Sequence, residues 1–362
     1  MLHTVIDRVF SADLPDCADI EYLLSLEHDR EITVLFDCAD MVRKEFVGDE
    51  ILLRGLVEFS NYCRNTCFYC GLNKNNKQLQ RYRLTDDQIM SAVKEIADAK
   101  IKTVVLQSGE DDDLDAFWLK KLIEQIKTNF DIAVTLSVGE RSYEDYKLWR
   151  QAGVDRYLLK IETTDRELYQ SLHSQRSFEN RLKCSRNLKK LDYQNGSGCL
   201  VGLKGQTIKS LAEDIIFFKK ENFEMIGIGL FIPHASTPLK NEPLGNLKLA
   251  LKVIAITRIV TKDANMPATT AIGSIGKNDN RILALKAGAN VLMPNFTPLP
   301  YRKLYEIYPG KRCVFEQSDE RIEYIESMAE SINRTINYSR GDLIKHKTQN
   351  SVIAMSANYK NN

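Results

Sequence analysis

From residue 51 onward, short apolar or β-branched runs alternate with longer amphipathic segments. The runs ILLRGLVEFS, TVVLQS, DIAVTLSV, RYLLKIE, GCLVGL, MIGIGLFI, MPATTAI and ANVLMPN predict eight strands. Between them lie helical patterns. In LTDDQIMSAVKEIADA, Thr85 and Gln88 have capping-box spacing, and Ile89, Val93, Ile96 and Ala97 share one face. Leu119, Leu122, Ile123 and Ile126 repeat that periodicity, as do Leu211, Ile215 and Phe218. Strands alternating with helices predict an α/β fold, a parallel (β/α)8 TIM-type barrel. A doubly wound open sheet is the alternative, and the strand count favours the barrel.

The ends differ in pattern. Residues 1–50 carry apolar residues at helical spacing from Asp19 to Leu26 and from Ile32 to Val47, which predicts an N-terminal helical cap. The barrel is predicted over 51–304. Residues 305–345 form a C-terminal helical extension, with one helix marked by Ile322, Ile325, Met328, Ala329 and Ile332, and 346–362 form an Asn-rich tail expected to be mobile.

At 362 residues the chain suits one large barrel with terminal additions. Lys and Arg total 50 against 49 Asp and Glu, for a net charge of +1. No concentrated basic stretch is present, so neither nucleic acid nor an anionic membrane is an expected partner. The opening MLHTVIDRVFSADLPD lacks an export-signal pattern, and no apolar run reaches the roughly 20 residues of a membrane span. The expectation is a soluble, cytoplasmic monomer.

Of eight cysteines, only Cys63, Cys67 and Cys70 cluster. In a long chain with no export signal, such clustering points to metal rather than to disulfides. Cys-x3-Cys-x2-Cys falls just after the first strand, where a barrel loop faces the active end. Three thiolates can take three corners of a 4Fe-4S cubane and leave the fourth iron open to chelate the amino and carboxylate groups of S-adenosylmethionine. A closed zinc site would need a fourth Cys or His, and no histidine stands between His28 and His173. Cys17, Cys38, Cys184 and Cys199 read as small buried hydrophobes.

The chain resembles the radical-SAM maturases of FeFe-hydrogenase called HydE, within the group that includes biotin synthase and methylornithine synthase. The resemblance runs through EFSNYCRNTCFYCGL, QRYRLT, VVLQSGED, VTLSVGE, SFENRL, VGLKGQT, IGIGLFIPHASTPL, PATTAIG, AGANVLMPNFTPLPYRKLYEIYPGK and CVFE, nearly all of residues 51–316. It implies one 4Fe-4S cluster on Cys63, Cys67 and Cys70, a bound S-adenosylmethionine, and a 5'-deoxyadenosyl radical. The implied substrate is a cysteine-bound iron carbonyl cyanide fragment. Implied partners are HydG and HydF, and an electron donor such as a ferredoxin or flavodoxin.

Carried over by residue, Gln107, Ser108, Thr135, Glu162, Arg181, Met293 and Tyr305 lie around the cofactor, with Arg181 on its methionyl carboxylate. Ser137, Lys160, Thr269, Thr270 and Asn295 line the substrate pocket, and Pro233 shapes the adenine side. His234 reads as a loop residue, and the acidic run Glu110 to Asp113 as a solvated face. No general acid or base is assigned.

Two departures matter. Some relatives bind a second cluster through Cys-x7-Cys-x2-Cys starting at the position of Cys313, but here Arg321 and Tyr324 follow, so one cluster is expected. Lys160 stands where the family usually has arginine, keeping the charge and losing the fork. The rival readings are an organic-substrate enzyme, of the methylornithine synthase or biotin synthase kind, and a non-catalytic metal-binding scaffold. Biotin synthase needs further strand cysteines, and none follows Cys70 until Cys184 and Cys199.

Overall fold

The computed structural model describes residues 1–312 and 318–343; Cys313 and the expected mobile tail lie outside them. In chain order the elements are α1 (Leu2–Ser11), α2 (Cys17–Leu24), α3 (Asp29–Val47), β1 (Ile51–Leu53), β2 (Gly55–Ser60), α4 (Asp86–Asp98), β3 (Thr103–Ser108), α5 (Ala116–Asn129), β4 (Ala133–Ser137), α6 (Tyr143–Gln151), β5 (Arg156–Leu158), α7 (Arg166–Leu172) and α8 (Phe178–Lys190). Then follow β6 (Gln194–Ser197), β7 (Leu200–Val201), α9 (Ile208–Glu221), β8 (Met225–Ile226), β9 (Gly229–Leu230), α10 (Leu247–Thr261), α11 (Thr270–Gly273), α12 (Arg281–Lys286), β10 (Val291–Leu292), α13 (Leu299–Arg302), α14 (Ser318–Glu330) and β11 (Ile336–Asn337).

Six strands run parallel in the order β2, β3, β4, β5, β6, β8. Short bridges carry the ring onward: Met225 pairs with Asn265, Pro267 with Val291, and Asn295 with Leu56 of β2. The Leu56 amide donates to Pro294 at 2.8 Å and the Phe296 amide to Leu56 at 2.7 Å, which closes the ring between its last and first staves. The result is the expected barrel, with several staves reduced to one or two ladder pairs.

Several predicted strands are shorter or split, MIGIGLFI into β8 and β9 among them. ILLRGLVEFS breaks at Arg54, so that β1 pairs with β10 and β11 while β2 pairs with β3. MPATTAI pairs only through Asn265 and Pro267; Thr269 leaves the sheet as the residue before α11. In RYLLKIE, regular pairing ends at Leu158, and Glu162 adopts a positive φ of 67° before bridging to Cys199. That left-handed conformation is incompatible with a continuing strand.

The helices obey the sequence more closely. The Thr85 hydroxyl accepts from the Gln88 amide and the Gln88 side chain from the Thr85 amide, the expected capping box of α4. Helix α10 is apolar almost all round and buries every residue from Ala250 to Thr261. The first 47 residues explain this, because α1, α2 and α3 pack over its outer face. Lys252, caught inside, donates to the carbonyls of Leu24, the last residue of α2, and of Leu26 just beyond it.

After α14, β11 pairs with β1 and the following turn crosses the N-terminal ends of the staves. There the Arg340 carbonyl accepts from Thr103 and Arg156, both at 2.8 Å, and Asn265 donates to the Gly341 carbonyl at 3.2 Å. This turn forms a floor to the barrel.

Candidate functional site

At the opposite, C-terminal end lies a cavity of about 370 Å³, within the usual range for small-molecule sites. The loop between β2 and α4 brings Cys63, Cys67 and Cys70 to its wall. Arg81 staples that loop from outside, donating to the carbonyls of Asn61 (2.6 Å), Leu72 (2.9 Å) and Asn73 (2.8 Å). Gly109 seats it from within: a Cβ there would stand 2.2 Å from the Tyr62 carbonyl and 2.9 Å from the Cys63 side chain.

Burial pushes all three thiols up, Cys70 to about 12, and the charge of Cys63 adds to this at Cys67 and Cys70, as does that of Cys70 at Cys67. Such thiols ionise together only against strongly positive metal. Among the described residues the wall holds no other cysteine and no histidine. Three thiol donors on one loop and no fourth soft ligand among the described residues of the wall fit a cluster with one open iron better than a closed zinc site.

Behind the loop is a network of arginines and carboxylates. Glu110 takes Arg64 and Arg176 on one oxygen, each at 2.7 Å, and the Glu140 amide on the other at 3.0 Å. Burial pushes the Glu110 carboxyl up, but Arg181 and Arg176 outweigh it and hold the group below its ordinary value. Gly139 makes room for this carboxylate, since a Cβ there would meet it at 2.5 Å. Glu110 and Asp111 are thus buried ion-pair partners, a correction to their reading as a solvated face.

Arg181 is held through Nε, at 2.8 Å from Glu140 and 3.4 Å from the Tyr169 hydroxyl. Its terminal nitrogens make no hydrogen bond among the described residues, and the side chain lines the cavity. Glu162 is paired with Lys160 at 2.9 Å, so its close partner is not Arg181. His173 sits beneath the cysteine loop, 2.8 Å from the Tyr69 hydroxyl through Nε2 and 2.9 Å from the Tyr169 carbonyl through Nδ1. Burial and then Arg181 lower it to about 4, so it is neutral near pH 7. Only a proton on Nδ1 satisfies the carbonyl, which leaves Nε2 to accept from Tyr69.

Across the barrel, the buried Glu58 of β2 is paired with Lys311, and its other oxygen accepts from Asn295 at 2.9 Å. Gln107 donates to the Tyr305 hydroxyl at 3.2 Å, and the Lys311 ammonium stands 5.1 Å from the Tyr305 ring centre.

Gln107, Ser108, Ser137, Lys160, Glu162, Arg181, Thr269, Thr270, Met293 and Tyr305 all reach the wall with the three cysteines. Thr135 and Asn295 do not. Thr135 lies one pleat below Ser137, buried, and its hydroxyl has no partner among the described residues. Asn295 stands behind the wall, bound to Glu58. Phe231 and Ile232 line the cavity in place of the expected Pro233. His234, read as a loop residue, is buried and accepts from the Ser236 amide through Nδ1.

Sequence reasoning missed Glu58, Lys311, Glu140, Arg64 and Arg176. A lone carboxylate inside the apolar run GLVEFS is the one usable signal among them.

No helix among the described residues is long and apolar enough to cross a membrane. The family model described as Radical SAM superfamily matches residues 57–218. The chain is 48% identical to the FeFe-hydrogenase maturase subunit HydE of Thermotoga maritima over 300 residues, covering 83% of this chain and 86% of that protein. It is 30% identical to the 3-methylornithine synthase of Methanosarcina acetivorans, covering 76% and 77% of the two chains. The crystal structure of methylornithine synthase (PylB) superposes with a TM-score of 0.80 at 25% identity, covering 92% of this chain and 97% of that one. Members of the superfamily generally bind a 4Fe-4S cluster and S-adenosylmethionine, in keeping with the thiols and polar groups of this cavity. The barrel, its cysteine loop and the length of the HydE match together identify the chain as a radical SAM enzyme belonging to the HydE family of FeFe-hydrogenase maturases.

Proposed function

We propose that Cys63, Cys67 and Cys70 hold a single 4Fe-4S cluster, and that the chain acts on a cysteine-bound iron carbonyl cyanide fragment during assembly of the hydrogenase di-iron subcluster. The observation that carries this reading is that the three cysteines line the same cavity as Arg181 and Glu162. When bound, the cluster supplies one electron to the sulfonium of S-adenosylmethionine, giving methionine and a 5'-deoxyadenosyl radical.

The chain's own residues bind and orient. Arg181, fixed at Nε by Glu140, offers a planar fork to the methionyl carboxylate. Glu162 accepts from polar hydrogens of the same cofactor, with Lys160 balancing its charge. The turn at Gln107 and Ser108 lies against the cysteine loop, close to where the cofactor's amino group would sit. Tyr305 and Met293 wall the cofactor, while Ser137, Lys160, Thr269 and Thr270 face the substrate. Leu56, Leu158, Leu230, Phe231 and Ala268 exclude water that would quench a radical. One cluster is expected, because Arg321 packs 4.4 Å over the Phe296 ring and Tyr324 binds Asp279 at 3.1 Å, at positions where a second set of thiolates would stand. A ferredoxin or flavodoxin would supply the electron, and HydG and HydF would be its partners in maturation.

The test is anaerobic. The chain, loaded with iron and sulfide and then reduced, should release 5'-deoxyadenosine from S-adenosylmethionine, and the iron carbonyl cyanide complex of cysteine should elicit a substrate-derived radical by electron paramagnetic resonance. A well-loaded cluster that yields no 5'-deoxyadenosine would overturn the radical reading. A second reading, an amino-acid mutase, is favoured by the TM-score of 0.80 to methylornithine synthase. A substrate radical with lysine, and none with the iron complex, would establish it instead.

A further inference from the structure

The turn that carries Glu162 is strained, and something must hold it. Glu162 has a φ of 67°, a conformation costly for a residue with a side chain. On one side its amide donates to the Gly198 carbonyl and its carbonyl accepts from Leu200, both at 3.0 Å. On the other side the chain runs through Thr163 and Thr164 to Asp165, the cap of α7, whose Tyr169 contacts Arg181. Thr164 is gripped by Asp214 of α9: one carboxylate oxygen accepts from the Thr164 amide at 2.6 Å and from its hydroxyl at 2.7 Å.

Asp214 is fully buried, and its second oxygen has no partner among the described residues. An unpaired buried carboxyl oxygen is expensive, and α9 would pack more favourably around a leucine. Burial also pushes this carboxyl up to about 7. An amide is therefore a fair isosteric mimic near neutrality.

We infer that Asp214 is a positioning residue for S-adenosylmethionine binding, which fixes Glu162 at the cavity wall by clamping Thr164 from α9. This rests on the proposed role of Glu162 as a cofactor ligand. Asp214 is absent from the cavity wall and acts only through the turn.

The test compares the cluster-loaded full chain with Asp214→Ala, Asp214→Asn, Thr164→Val, Glu162→Ala and the double variant Asp214→Ala/Glu162→Ala, measuring S-adenosylmethionine affinity by calorimetry. Asp214→Ala should weaken binding about tenfold, as loss of an outer supporting group does. Asp214→Asn, which keeps the acceptor, should restore most of it. Thr164→Val, which leaves Asp214 in place and removes one donor, should cost about threefold and decides the matter if Asp214→Ala does not fold. The double variant should bind no more weakly than Glu162→Ala alone, because both changes act through one group. Without the cluster, the Thr164 amide should exchange faster in Asp214→Ala than in the parent chain, while the iron content after loading stays the same.

Wild-type affinity in Asp214→Ala and Thr164→Val, or losses that multiply in the double variant, would overturn the inference while leaving Glu162 as a ligand. Unchanged affinity in Glu162→Ala would remove the cofactor role of Glu162, and the inference with it.

Discussion

At the floor of the barrel, every guanidinium nitrogen of Arg156 is satisfied. Nε meets Gln194 at 3.0 Å, one terminal nitrogen meets Thr103 at 3.1 Å, and the other meets the Arg340 carbonyl at 2.8 Å and Asp342. At the cavity end, Arg181 is ion-paired with Glu140 through Nε at 2.8 Å, its terminal nitrogens make no hydrogen bond among the described residues, and its side chain lines the cavity. Both ends use arginines, carboxylates and buried neighbours. The difference lies in the terminal nitrogens: those of Arg156 are taken up by the fold, whereas those of Arg181 make no hydrogen bond among the described residues. Completeness of pairing distinguishes these two arginines, though not every floor residue: buried Arg54, beside Arg156, keeps two guanidinium nitrogens without a partner among the described residues.

The sharpest way to break this comparison is at the cysteine loop. Alanine at Cys63, Cys67 or Cys70 should abolish cluster loading and 5'-deoxyadenosine formation, while the unloaded chain melts within about 1 kcal/mol of the parent. Iron and sulfide analysis with product chromatography checks the first half, and urea titration the second. Arg156→Ala should do the reverse. Opening a buried and fully satisfied guanidinium site should cost about 3 kcal/mol, the low end for a broken buried pair because Asp342 is partly exposed. Cleavage of S-adenosylmethionine per folded molecule should stay unchanged. An Arg156→Ala chain that stays stable but loses turnover would show that the floor is functional after all.

The two ends also differ in how far the sequence discloses them. The cysteines stand out as a local Cys-x3-Cys-x2-Cys cluster, and Glu162 and Arg181, carried over from the family resemblance, do reach the same cavity wall. The helices were legible too: the Thr85 and Gln88 spacing gives the capping box that α4 has. The strands at staves five to eight were overdrawn, since apolar runs such as MIGIGLFI and MPATTAI signal burial without saying how many ladder pairs form. Long-range pairings left little local trace. Lys311 reaches Glu58 across 253 positions, and Asp342 reaches Arg156 across 186. Thr135 and Asn295 show the same limit from another side. Strand alternation correctly turns Thr135 inward, but its depth along the barrel axis depends on stagger between staves, which one sequence does not reveal.

Acid should separate the ends next. His173, beneath the cysteine loop, is lowered from 6.5 to about 4 by burial first and Arg181 second. Its neutral form is favoured in the fold, so the unfolded chain binds the extra proton between those two values and stability falls as pH drops from 6.5 toward 4. The full effect amounts to about 3 kcal/mol. At the floor, Asp342 is instead held below its ordinary 3.8 by Arg340 and Arg156, which overcome burial. Its contribution persists above 3.8 and is lost only on further acidification. Hydrogen exchange should therefore show the cysteine loop loosening before the 339–343 turn as pH falls. In His173→Gln, the acid sensitivity of the loop between pH 6.5 and 4 should diminish; a loop that loosens over the same range without His173 would assign the effect elsewhere.

The smallest expected effect is the most specific. Arg181→Lys keeps the charge and can still reach Glu140, but a lysine ammonium engaged there has no second arm for a carboxylate in the cavity. The KM for S-adenosylmethionine should rise about tenfold, the cost of one charge-assisted hydrogen bond, with a smaller change in kcat. The matching change at the floor, Arg156→Lys, should lower stability and leave KM alone, because there the fork serves only internal partners. If both substitutions cost stability and neither moves KM, Arg181 belongs with the floor as a structural arginine, and the open fork at the cavity wall has no part in holding the cofactor.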